Sequence, residues 1–267
     1  MQLTIRHETV YRYTAPLSYT IQQLRLSPRL EAHQRPLSWH IATPGRRHEF
    51  VDAFGNISHM LTITGMHDEV RIVAAGTVSV MPLDRGRLAD AGALSPLVFT
   101  VPTRLAQADD ALAEFANRHL HPGARSTDLL GLAEAIRGTV AYRSGATVVT
   151  TAAADALRLG QGVCQDHAHL FIACCHVHGI PARYVSGYID PGDTAHAESH
   201  AWVDVWVEEA DFRGWVSIDV THARFADDSH CRLAIGRDYE SAAPVRGVRQ
   251  GGGAESLAVE VDVAPAG

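Results

Sequence analysis

The sequence contains no apolar run approaching the ~18 residues that a membrane-spanning helix needs. Cysteine is scarce too. Cys164, Cys174, Cys175 and Cys231 are the only four in 267 residues, too few and too clustered for a disulfide framework. Excess positive charge is missing. The formal net charge is -7 and no basic stripe with interleaved aromatics occurs, so nothing favours nucleic acid or an anionic membrane as partner. The opening Met1–His7 alternates like a strand and lacks the basic end and apolar stretch of a signal peptide. Together these absences predict a cytoplasmic protein with reduced thiols. There is no internal repeat, and only Gly251-Gly252-Gly253 is low in complexity.

What is present divides the chain. Residues 1–82 are β-rich, with Val10–Tyr13, Leu24–Leu26, Ile57–Ile63, Val70–Val73 and Thr77–Val80 as extended runs. Asp52-Ala53-Phe54-Gly55-Asn56 between Phe50-Val51 and Ile57 predicts a hairpin turn. Residues 83–103, punctuated by Gly86, Gly92, Pro96 and Pro102, form a connector. Residues 104–267 begin with helical stripes over 104–120 and 127–142, the second with Ser126 or Thr127 as N-cap. A short Ala-rich helix over 152–159 ends at Gly160, and an apolar helix follows over 164–178. The period then shortens to two. Arg183–Tyr188, His200–Glu208 and Trp215–Thr221 read as strands, as does the final Leu257–Val263. The fold class is therefore α+β: an antiparallel N-terminal module, then helices packed on an antiparallel sheet.

The chemistry centres on Cys164, which follows a Gly-rich turn and opens the apolar helix. Unpaired N–H groups and the dipole at a helix start stabilise a thiolate and the oxyanion formed when it attacks an acyl carbon. Gly162 would let a substrate approach the backbone. A strand reading puts His200, Trp202, Asp204 and Trp206 on one face, with Ala201, Val203, Val205 and Val207 on the other. Trp215, Ser217 and Asp219 likewise share a face, so on neighbouring strands His200 and Asp219 lie side by side. His200 then serves as the base and Asp219 orients it, with Asp204 the rival carboxylate. Asp166 is read as a helix-start cap.

Gly162-Val-Cys-Gln-Asp166, Gly179-Ile-Pro-Ala-Arg-Tyr-Val-Ser-Gly-Tyr188, Ser199-His-Ala-Trp-Val-Asp-Val205 and Gly214-Trp-Val-Ser-Ile-Asp219 closely resemble the bacterial transglutaminase-like superfamily, of papain-like architecture. The resemblance extends to Ile235–Tyr239 and Pro244–Gly247. It also covers the front, where Tyr11–Pro16, Leu24–Arg29 and Asp52–Asn56 resemble that family's N-terminal region. It implies a Cys164, His200, Asp219 triad acting on an amide or peptide bond of a protein or peptide through a thioester, without a cofactor. Two positions depart from the pattern: His167 stands where an aromatic residue is usual, and Val220 where Pro is usual. Gly162, Gln165, His167, Arg183, Tyr184, Trp202 and Trp215 are the candidate substrate-binding or pocket residues.

The 16 histidines raise the question of zinc, but there is no Cys-x-x-Cys pair. His176 and His178 would point about 200° apart on one helix, as would His167 and His169. No metal site is expected. Water or an amine could resolve the thioester, and hydrolysis is favoured because excluding ~55 M water needs a dedicated acceptor tunnel. The alternatives are transglutaminase-type acyl transfer and a catalytically silent peptide-binding module. Oligomeric state is not readable.

Overall fold

The computed structural model describes residues 1–88, 92–190, 192 and 199–266. The N-terminal strands are β1 (Gln2–Leu24), β2 (Gln34–Ala42), β3 (Arg46–Val51) and β4 (Ile57–Val80), followed by the short β5 (Arg87–Leu88). Next come α1 (Asp110–His119), α2 (Ser126–Thr139), β6 (Ala141–Tyr142), α3 (Ala153–Leu159), β7 (Gln161–Gly162) and α4 (Cys164–Val177). Then follow β8 (Ala182–Ile189), β9 (Ser199–Glu208), β10 (Arg213–Asp219), β11 (Arg224–Phe225) and β12 (His230–Gly236). The chain ends with α5 (Tyr239–Ala242), β13 (Val245–Gly251) and β14 (Glu255–Pro265). No helix among the described residues is long and apolar enough to cross a membrane.

Two antiparallel sheets carry the architecture. In the first, the order is β13-β1-β4-β2, with β14 also pairing β1 and β3 pairing β4. The short N-terminal runs read from the sequence are pieces of two long strands, β1 and β4, paired along most of their length. Register shifts near Leu17 break the ladder, and Gly65 on β4 takes a left-handed φ of 92°. The Asp52–Asn56 turn forms as expected, with Gly55 at φ 75° and Asp52 Oδ1 accepting from the Phe54 and Asn56 amides. The final strand was expected with the second half of the chain. Instead β13 and β14 both pair with β1, so the chain returns to the N-terminal sheet.

The second sheet runs β11-β10-β9-β8-β12, with β5 pairing β10. Both of its faces are covered. Ala201, Val203, Val205, Val216 and Ile218 meet α4 and the other helices in one core. On the other face Trp202, Val185 and Ile235 meet Phe54, while Trp215 meets Leu88 and Phe99. The N-terminal sheet docks through Leu3, Ile5, Val78 and Val80 against Tyr188, Cys231 and Leu233. Burial on both faces removes the simple inside–outside alternation, which is why β12 is buried throughout.

Gly187 shows how tightly this second face is filled. An added Cβ would sit 2.1 Å from the Cys231 carbonyl oxygen and 2.5 Å from the Trp202 ring. Gly187→Ala is expected to cost roughly 1–3 kcal/mol through overpacking, read as a lower urea midpoint. A change below ~0.5 kcal/mol would show that the strand pair has slack.

Candidate active site

The approach to Cys164 is built from short-range rules. Gly160 ends α3 in the left-handed conformation (φ 66°), where glycine costs least. The next two residues, β7, pair in parallel with β6, and Cys164 follows as the first residue of α4. Asp166 ties the entry down: its Oδ2 accepts from the Val163 amide at 2.8 Å and the Thr147 hydroxyl at 2.6 Å. Burial pushes the Asp166 carboxyl above its ordinary value, against the pull of those hydrogen bonds. The Asp166 and His167 amides both return to the Val163 carbonyl. Among the described residues no hydrogen bond claims the Cys164 or Gln165 amide, which leaves first-turn donors beside the sulfur.

His200 begins β9 and Asp219 ends β10, two neighbouring strands. The His200 Nε2 donates to Asp219 Oδ2 at 2.9 Å, and the Cys164 side chain lies near enough to the same imidazole to favour its charged form. With Nε2 turned to the carboxylate, Nδ1 is the nitrogen left for the sulfur. Burial works against a charged His200. The Asp219 carboxylate and Cys164 outweigh it and lift the imidazole from 6.5 to about 10. Trp202, fully buried, backs the ring in a near-parallel stack at 6.0 Å and donates its own Nε1–H to Ser217 Oγ.

Asp219 does more than the sequence suggested. Its Oδ2 also accepts from His222 Nδ1 at 2.7 Å and His230 Nε2 at 3.1 Å. Burial alone would raise this carboxyl. The His200 charge and the imidazole donors hold it well below the usual range. His222 is half exposed at the site, whereas His230 is buried and reaches Asp227 Oδ1 at 3.0 Å through its other nitrogen. Among the described residues, His200, Asp219 and His222 are the only group with ligand atoms close enough (within 4.8 Å) to hold a metal ion, and those atoms already bond one another. His222 and His230 escaped the sequence reading. His222 stands only three residues after Asp219, but His230 needed β12, whose Cys231, Leu233 and Ile235 alternation is the signal that could have found it.

The candidate pocket residues fare differently. Gly162 is buried, and an added Cβ would lie 2.8 Å from Asp166, so this glycine makes room for the cap rather than for substrate. Gln165 donates to the Val149 carbonyl at 3.0 Å and anchors the neighbouring loop. His167 is not a second imidazole for the sulfur: its Nε2 donates to the Val140 carbonyl and its Nδ1 accepts from Thr221. Arg183 lies buried against Asp204, its guanidinium 4.1 Å over the Trp215 ring. Tyr184 is buried beside His169 and Tyr239, and Trp215 beside Phe99 and Trp206. Asp204, the rival carboxylate, is held by Arg183 and Arg232 and makes no contact with His200. The other three thiols are buried, and burial pushes Cys174, Cys175 and Cys231 upward.

Comparison with known proteins identifies the family and the fold. Residues 3–79 match the bacterial transglutaminase-like N-terminal region, and residues 117–220 match the transglutaminase-like superfamily. An uncharacterized protein of Mycobacterium tuberculosis H37Rv is 30% identical over 288 residues, covering 98% of this chain and 92% of the relative. One from Mycobacterium leprae is 27% identical over 278 residues, covering 98% of both. A Cytophaga hutchinsonii crystal structure described as a "putative cysteine protease" superposes with a TM-score of 0.79 at 23% identity, over 99% of this chain and 90% of that one. At that identity the likeness establishes the fold.

Proposed function

Since the chain belongs to the transglutaminase-like superfamily and carries its bacterial N-terminal region, we propose that it is a cysteine-dependent enzyme that cleaves an amide or peptide bond. One observation carries the reading: His200 is hydrogen-bonded to Asp219 and stands beside Cys164, and the two together lift its imidazole to about 10. The Cys164 sulfur, its proton on His200 Nδ1, attacks the acyl carbon. The oxyanion forms where the free Cys164 and Gln165 amides can meet it. His200 then passes its proton to the leaving amine as the C–N bond breaks, and a thioester remains. Water attacks that thioester, giving one proton to His200, and the acid leaves as the sulfur–carbon bond breaks. Asp219 keeps Nε2 protonated throughout and so holds Nδ1 toward the sulfur.

Hydrolysis is the favoured outcome. Water is the acceptor at ~55 M, and excluding it in favour of an amine needs a dedicated acceptor tunnel. A protein or peptide is the proposed substrate. The four cysteines are unpaired, which suits a reducing cytoplasm. The test uses p-nitrophenyl acetate as acyl donor. An acetyl adduct located on Cys164 by mass spectrometry, discharged by water faster than by added methylamine, supports the reading. No adduct on Cys164, or an adduct resolved chiefly by methylamine, refutes the thioester or the hydrolytic assignment respectively. The chain has no lysine, so it offers no side-chain amine of its own to blur that partition.

A pH dependence follows. The leaving amine needs the His200 proton, so amide turnover is expected to fall as pH rises through about 10. The raised value also favours the fold: this contribution is complete below 6.5 and is lost as pH climbs through about 10. Amide turnover with a descending limb near 6.5, as for an unassisted imidazole, would contradict it.

A further inference from the structure

Away from Cys164, the contact between the N-terminal sheet and the second sheet contains a charge network that, among the described residues, does not balance. Arg183 Nε lies 2.8 Å from Asp204 Oδ2, and Arg232 Nη1 lies 2.9 Å from Asp204 Oδ1. Arg232 Nε also reaches Glu31 Oε2 at 2.9 Å, and Arg29 Nε reaches Glu31 Oε1 at 2.7 Å. Three guanidiniums therefore share two carboxylates, while the adjacent Arg25 and Asp52 form their own pair at 2.9 Å. Arginine stays charged when buried, so the surplus cation is not relieved by losing a proton.

The surplus is plainest at Arg183. Its residue is 8% exposed, and its Nη1 and Nη2 make no hydrogen bond among the described residues. A buried cation with unused donors is costly unless something pairs with it. Beside it lies a cavity of about 410 Å³, lined among others by Arg29, Phe54, Leu88, Phe99, Arg183 and Glu31, the last already held by Arg29 and Arg232. That volume falls in the range of small-molecule sites, which combine apolar walls with a few convergent polar groups. One wall comes from the N-terminal module (the loop after β1 and the β3–β4 turn), and the other from the second sheet and its connector.

We propose that this cavity binds a small organic anion, a carboxylate with an apolar body. The carboxylate meets the free edge of the Arg183 guanidinium, whose planar fork suits two parallel hydrogen bonds. The apolar body lies among Phe54, Leu88 and Phe99. The N-terminal module thereby forms half of a ligand site, apart from the chemistry at Cys164.

Benzoate is the probe, with neutral benzamide as its isostere and inorganic phosphate as an anion lacking the apolar body. Calorimetric titration on Cys164→Ala protein keeps acyl chemistry out of the measurement. Benzoate is expected to bind one per chain, at least about 10-fold more tightly than either comparison compound. Arg183→Met removes the charge, and Ala53→Trp fills the cavity from an exposed turn without touching the network. Each is expected to weaken benzoate at least about 10-fold. If Arg183→Met does not fold, Ala53→Trp alone decides. Equal binding of benzoate and benzamide, tighter phosphate, or undiminished affinity in the folded variants would overturn the site.

Discussion

Replacing His200 with alanine is expected to lower kcat/KM on an amide substrate by about 10³-fold or more, at the upper end of what a positioned acid–base group supplies. The imidazole stands between the thiol and the Asp219 carboxylate, and in the proposed mechanism it acts twice, on the leaving amine and on the attacking water. Asp219→Asn should cost less, because His200 keeps the Trp202 stack, yet the loss of charge lets the ring lose its tautomer. Asp204→Asn should cost least in turnover of the folded enzyme, since Asp204 faces two arginines and not the imidazole. Steady-state kinetics of the three variants decide the order. Equal losses at Asp204 and Asp219 would remove Asp219 as the orienting carboxylate.

Asp204 carries the second large effect, and it falls on stability. The side chain is fully buried between Arg183 and Arg232, and the paired guanidiniums hold its carboxyl far below the usual range against the pull of burial. Asp204→Ala removes the only carboxylate paired with Arg183 among the described residues, while Arg232 keeps Glu31, and leaving a buried cation unpaired typically costs about 3–5 kcal/mol. Urea unfolding should show a loss of that size, enough to leave much of the chain unfolded only if its stability lies at the lower end of the ordinary range of about 5–15 kcal/mol. A loss below ~1 kcal/mol would mean that water or another anion reaches the arginines. It would favour a more open junction between the two sheets.

The helices and most strands were legible because each obeys a local rule. Gly160 stops α3, the Asp52–Asn56 turn closes β3 onto β4, and alternation along His200–Val207 sorts the two faces of β9. Cys164, His200 and Asp219 stood out for the same reason, being fixed to the starts and ends of such elements. What was missed is long-range. Nothing near Leu257–Val263 says that β14 joins β1, some 250 residues earlier, because a strand's partner is set by which edge is free. Arg183 looked like a residue of the Cys164 site, but its partner Asp204, which it shares with Arg232, lies 21 residues away along the chain and draws it to the other end of the sheet junction. Gly162 was read as room for a substrate when it is room for Asp166. The three-imidazole environment of Asp219 needed β11 and β12 in place before it existed at all.

The central claim is that Cys164 is an activated thiol made so by His200. Iodoacetamide labelling of the native protein from about pH 5 to about pH 9, resolved by site with mass spectrometry, tests it directly. Cys164 should label quickly at the acidic end while the buried Cys174, Cys175 and Cys231 stay unmodified, and His200→Ala should abolish that early reaction. Labelling of Cys164 no faster than Cys231, or unchanged by His200→Ala, would contradict the account and leave the site without a nucleophile.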